Sequence, residues 1–351
     1  MSSCVSADSM LPLQRLAWPD LAKGMAMILV VMGHVLGGLM AGHFVPFSPL
    51  GSWFYDWIYL FHVPTLFFVS GWLAEFRTRV KGPAPMTSFL ATLLYPYFLW
   101  GLILWAVQLA ASGTGIANVH ADPWGPLRMF YAASAGPWFL LILFLLHGLN
   151  HSLQAVCRRP VWLIVISLGA FVDYACCSFV EFDSTRCRFE LNAVFYALGV
   201  WLAANGTLVG WKVPSTGTLL TGAALLGLLG WMCWQNSELP PWSRLPLGIA
   251  GIAGILGLSM GLSALPGTKW LGWLGRQSLA IYVLHGFAPP VTRWLLTRQL
   301  GVTDAWVLLL TGVAAGLLSA ASVAWVVNRW QLGWVFSFGH RQNHGSQMLK
   351  S

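Results

Sequence analysis

Runs of about twenty apolar residues recur along this chain from Asp20 to Asn328, and that is the length a helix needs to cross the hydrocarbon core of a bilayer. A segment in lipid must satisfy its own backbone hydrogen bonds, which leaves only helices and closed barrels. The runs are too long for barrel strands and lack their period-two alternation. The expected fold is therefore all-α, a polytopic integral membrane helical bundle. Cutting the chain at its polar and Pro/Gly interruptions gives ten transmembrane helices, at 20–42, 52–74, 88–111, 137–156, 160–180, 189–206, 215–236, 244–265, 270–298 and 303–329. Composition agrees: 9% of residues are charged and 57% hydrophobic, against about 25% and 45–50% in soluble domains. Residues 1–19 remain as a cytoplasmic N-terminal segment, 20–330 as one transmembrane domain and 331–351 as a cytoplasmic C-terminal tail.

A net charge of +8 would suggest nucleic acid in a soluble protein. Here Lys and Arg cluster at the ends of apolar runs, a pattern that sets orientation and argues against a nucleic-acid partner. With both termini cytoplasmic, thirteen of the nineteen basic residues lie inside: Arg15, Lys23, Arg77, Arg79, Lys81, Arg158, Arg159, Lys212, Lys269, Arg276, Arg329, Arg341 and Lys350. Arg128, Arg186, Arg188, Arg244, Arg293 and Arg298 lie outside. The N-terminus lacks a basic region followed by a compact apolar core and cleavage site, so the first span is expected to be retained. Gly257 and Gly261, at GxxxG spacing, invite close approach of a neighbouring helix.

The six cysteines lack metal-ligand spacing. A bridge from Cys187 to Cys176 or Cys177 is open in an oxidising compartment. His147 and His151 stand four residues apart but without the glutamate of an HExxH motif, so no metal is expected.

The polar exceptions inside the spans carry the functional reading. The first span, DLAKGMAMILVVMGHV, keeps Asp20, Lys23 and His34. An ionisable group at the bilayer centre costs about 2.5–3.5 kcal/mol, so such groups usually face a cavity and mark function. His34 lies eleven residues past Lys23, about 20° away around the helix and about 16 Å along it, so the two share a face. Asp20 and Lys23 either open a cytoplasmic entrance or merely pair and snorkel to the interface. His34 is too deep to snorkel; its near-neutral titration makes it the best general base or acyl-accepting nucleophile in the chain. The second span places His62 before Pro64, then Ser70, and ends in Arg77, Arg79 and Lys81, a basic cluster suited either to anchoring or to a phosphate-bearing ligand. Ser278, Tyr282 and His285, at i, i+4 and i+7, form a second polar stripe on one helical face.

These segments together resemble the acyltransferase 3 family of integral membrane acyltransferases, particularly its fucose 4-O-acetylase-like branch. The resemblance rests on DLAKGMAMILVVMGH, FHVPTLFFVSGWL, LLYPYFLWGLI, GPWFLLILFL and LGRQSLAIYVLHGF, in that order and spacing. It implies ten membrane helices in the bacterial inner membrane, a cytoplasmic acyl-CoA donor, usually acetyl-CoA, and a sugar hydroxyl acceptor on a glycan or lipid-linked oligosaccharide. It makes His34 the essential histidine of the first helix. Lys23 stands where many members have arginine, and keeps the charge but not the bidentate fork. Arg77 and Arg79 look like the basic pair after the second helix, with one residue between them where some members have two.

On this reading His34, Lys23 and Asp20 are the catalytic candidates, and Lys23, Arg77 and Arg79 hold the coenzyme A phosphates. His62, Ser70, Trp138, Tyr282 and His285 line the substrate site, and membrane lipids surround the whole. A transporter or flippase of a sugar-lipid would use the same buried polar cavity without chemistry.

Overall fold

A computed structural model describes residues 16–43, 49–116, 122–133, 136–157, 159–176, 184–208, 215–236 and 239–338. Most of the N-terminal segment and tail, with Arg15, Arg158, Cys177, Lys212, Arg341 and Lys350, lies outside the described residues. The described residues are helical throughout. In chain order the helices are α1 (Trp18–Ala41), α2 (Pro49–Tyr59), α3 (His62–Lys81), α4 (Met86–Phe89), α5 (Tyr95–Ala111), α6 (Gly125–Arg128), α7 (Trp138–Val156) and α8 (Val161–Cys176). They continue as α9 (Thr185–Ala204), α10 (Ser215–Gln235), α11 (Arg244–Ser263), α12 (Lys269–Arg276), α13 (Ser278–Leu284), α14 (Ala288–Gln299) and α15 (Ala305–Arg329).

Among the described residues, seven helical stretches are long and apolar enough to cross a bilayer, not ten: Trp18–Ala41, Pro49–Lys81, Met86–Ala111, Trp138–Val156, Thr216–Gln235, Pro241–Ser263 and Ala305–Arg329. The other three expected spans differ for distinct reasons. In the run at 160–180 the described part is α8, 16 residues long, and residues 177–183 lie outside the described residues. The run at 189–206 becomes α9, whose first turns carry Arg186, Arg188 and Glu190. The run at 270–298 is broken into α12, α13 and α14. Pro289 and Pro290 fall in the first turn of α14, where a missing N–H is harmless. Neither can donate back to the turn before, so the helix cannot continue through Gly286 and Phe287.

The stretch Pro49–Lys81 is also interrupted. Leu60 and Phe61 donate to Trp57 and Ile58 in tightened turns, and α3 restarts at His62 with Pro64 again in its first turn. Ahead of α5, a π-helical turn spans Leu90–Leu94. Pro96 follows it, and its ring disfavours the ordinary contact with the carbonyl four residues earlier.

Helix α1 is central, packed against α2, α3, α11, α12, α13 and α15. Small residues allow the tightest contacts. A methyl group on Gly71 of α3 would overlap the Tyr196 carbonyl of α9, and one on Gly199 would overlap that of Phe68. Gly257 of α11 sits against the Thr218 carbonyl of α10, at 2.9 Å from an added Cβ. Lipid gives no hydrophobic drive between helices, so such backbone approach supplies the van der Waals contact that holds a membrane bundle together. Cys187 is a buried free thiol and Cys176 an exposed one, so no bridge joins these two, and Cys177 lies outside the described residues.

Candidate functional site

The two broken helices converge on the middle of α1. Tyr59, the last residue of α2, lies against Gly33, 3.0 Å from the position of an added Cβ, and its ring meets that of His62 edge-on at 4.7 Å. From the other side, the break between α13 and α14 brings His285 to His34, ring centroids 4.9 Å apart. Irregular backbone at membrane depth is tolerated only where it is buried in protein or lines a cavity. Here it does line one: a cavity of about 180 Å³ is walled by His34, Gly38, His285, Gly286, Pro289 and Arg293, among others. The His34 ring is exposed, although Gly33 and Val35 beside it are buried. Gly38, one turn further, has nothing within 4 Å of where a Cβ would stand.

His62 and Arg188 stand in the surroundings of His34. His62 is only 1% exposed and its Nδ1 lies 2.6 Å from the Ile58 carbonyl; it is sealed in the core beside the cavity. Arg188, near the start of α9, holds its guanidinium over the Trp138 ring at 4.6 Å from the centroid, a cation–π contact worth about 0.5–2 kcal/mol. Trp138 thus orients the Arg188 guanidinium. Tyr282 accepts a 3.0 Å hydrogen bond from the Phe139 N–H, one of the orphan donors at the start of α7, and so ties that helix end to α13.

Ser70 and Arg77 lie in a different cavity, about 290 Å³, between α3, α7 and the π-helical turn. Ser88, His147, Asn150, His151 and Gln154 share its walls. Behind them runs a polar network: Gln154 donates to Glu75 at 2.9 Å, and Tyr196 meets His147 Nδ1 at 2.8 Å. Arg79 turns away, pairing with Glu75 at 3.5 Å and donating to the Ala204 carbonyl. The two arginines of the basic cluster therefore do not act together.

Asp20 and Lys23 form an ion pair at 3.3 Å, with Arg276 of α12 3.9 Å from the other carboxylate oxygen. Asp20 borders a third cavity, about 410 Å³, with Lys269 and Arg276. Between Lys23 and His34, the residues Ala26, Met27 and Val30 are packed into the apolar core. The polar stripe on α1 is thus two separate polar places joined by a greasy layer.

Sequence reasoning missed Arg188 and Arg293 as site residues. Both read as outward topology charges. Arg293 is 7% exposed and donates to the Ile116 carbonyl at 2.7 Å; its spacing of four from Pro289 was the available signal, since it puts both on one face of α14.

Fold and site together define a polytopic membrane protein with a histidine-lined cavity where two interrupted helices meet. A model of the acyltransferase 3 family, described as an acyltransferase domain, matches residues 16–329, and the chain belongs to that family. No curated protein and no solved structure matches it.

Proposed function

We propose that this protein transfers an acetyl group from cytoplasmic acetyl-CoA to a hydroxyl of a cell-envelope or exported glycan, in the bacterial inner membrane, with His34 as the reacting base or acyl carrier. The observation that carries the reading is the His34 ring, exposed to a cavity at the break between α13 and α14 with His285 against it. A base for a sugar hydroxyl must be reachable by that hydroxyl, and a cavity built on freed backbone carbonyls and a buried arginine suits a polar acceptor.

The donor route is supported by α3. Arg77 and Ser70 line one cavity, and His62, fifteen residues from Arg77, begins the same helix close to His34. That separation is about 22 Å along the axis, a length an extended pantetheine arm bridges while the phosphates stay beside Arg77 near water. In direct transfer, the acceptor oxygen attacks the thioester carbon as its proton passes to His34; the C–S bond breaks and the proton returns to the departing sulfur. In the two-step alternative, a His34 nitrogen attacks the thioester carbon and the C–S bond breaks, releasing the coenzyme A thiol; the acceptor oxygen then takes the acetyl group from the ring nitrogen, its proton returning to His34.

Interrupted helices also occur in transporters, where they hold a substrate at the midplane. One measurement separates the readings. Membranes containing the protein are expected to move radiolabelled acetyl from acetyl-CoA to glycan, and His34→Ala to abolish that transfer. Glycan flux into proteoliposomes without any donor, undiminished by His34→Ala, would favour the transporter.

A further inference from the structure

We propose that His285 is a positioning residue for His34, accepting a hydrogen bond from one of its ring nitrogens so that the other is presented to the reacting groups as a base. The proposal rests on the acyl-transfer reading above and deepens it. Two backbone carbonyls fix the His285 ring. Its Nδ1 lies 2.8 Å from the Tyr282 carbonyl and 3.1 Å from that of Ile281. Carbonyl oxygens carry no proton, so Nδ1 must be the donor, and in the neutral ring Nε2 is left as a bare acceptor. His285 stands at the C-cap of α13, its own N–H bonding the Ile281 carbonyl, while its ring reaches back over the Tyr282 carbonyl.

The acceptor belongs to a ring that neighbours His34. The rings of His34 and His285 are 4.9 Å apart at 49°, and both border the same cavity. The other charged or titratable groups around His34 do not fit the role. Arg188 of α9 and Arg293 of α14 have only donors. His62 of α3 is pinned in the same tautomer by Ile58, but it is sealed against the Tyr59 ring and does not border the cavity.

His285 therefore does for His34 what a carboxylate does in a nucleophilic triad, without a net charge. It fixes tautomer and ring orientation, and it stabilises the imidazolium that forms when His34 takes the acceptor proton.

The test uses the purified full chain in nanodiscs, with acetyl-CoA and a glycan acceptor that the wild type acetylates. His285→Leu is expected to lower kcat about a hundredfold, the scale of a misplaced reacting group, with KM for acetyl-CoA unchanged. His285→Gln, whose side-chain oxygen can accept the same bond, is expected to recover kcat to within about tenfold of wild type. Should His285→Leu fail to bind acetyl-CoA, the pair His285→Asn and His285→Gln decides: the short side chain fails to reach and the long one succeeds. A His285→Leu enzyme with wild-type kcat overturns the proposal, as does a Gln variant no better than Leu or Asn. Loss of transfer in His34→Ala alongside such a result would leave the acyl-transfer reading standing. Full transfer in His34→Ala would remove that reading itself.

Discussion

At the scale of single residues, the structure separates side chains that looked equivalent. Arg77 borders a cavity while Arg79 is bound to Glu75 and the end of α9. Arg77→Ala is therefore expected to raise KM for acetyl-CoA by at least about tenfold, the worth of a charge-assisted hydrogen bond of about 1.5–3 kcal/mol. Arg79→Ala should leave KM alone and lower the melting temperature, and steady-state kinetics with thermal unfolding in detergent distinguishes the two. Gly38 presents open space to the His34 cavity. A leucine there occupies the acceptor's volume without touching the donor route, so Gly38→Leu should block transfer to glycan while acetyl-CoA binding, read by equilibrium dialysis, persists. Asp20 belongs to another class. It is partnered by Lys23 and Arg276, and removing one member of a buried pair costs about 3–5 kcal/mol. Asp20→Leu is expected to lose stability at least as much as activity.

At the scale of elements, the prolines decide where the chemistry can be. Pro289→Ala with Pro290→Ala removes two residues that each cost about 3 kcal/mol inside a helix, and it lets α13 run on into α14. The double variant is expected to keep or gain thermal stability while transfer falls sharply, because the cavity wall closes; equal activity would count against the break as a functional device. The breakers were visible in the sequence, yet 270–298 read as one span because its summed length suffices for a crossing. For that span, the local chemistry of Pro289 and Pro290 overrode a reading made from length. His34 was legible because a titratable group deep in lipid has no cheap explanation. Arg188 was not, since a cation at the mouth of an apolar run reads as an orientation signal, and only packing brings it over Trp138. The interruption before α3 was half-legible: Pro64 announced a distortion, but the break falls at Leu60–Phe61, so that Pro64 occupies a first turn.

At the scale of the whole molecule, the cavities require different faces of the membrane. If acetyl-CoA enters beside Arg77, the end of α3 faces the cytoplasm and the loop after α14 faces out. Lys81 and Arg298, both exposed, report on this. In a cysteine-free background, Lys81→Cys is expected to react with an impermeant maleimide only in inside-out vesicles, and Arg298→Cys only in right-side-out cells. Labelling of both from one side would overturn the orientation and, with it, the cytoplasmic donor.

The short helices that build the cavity wall also constrain how the chain is made. α13, with 7 residues, and α14, with 12, rise about 10 and 18 Å, well short of a hydrocarbon core of about 30 Å. Neither can leave the translocon for lipid as an independent span. They must wait for a partner, and α15, emerging after both, packs against each of them and against α1. The earlier helices enter the bilayer as they are synthesised, whereas the histidine pocket closes only with the last one, so a ribosome that stalls before α15 leaves an inserted but unassembled protein.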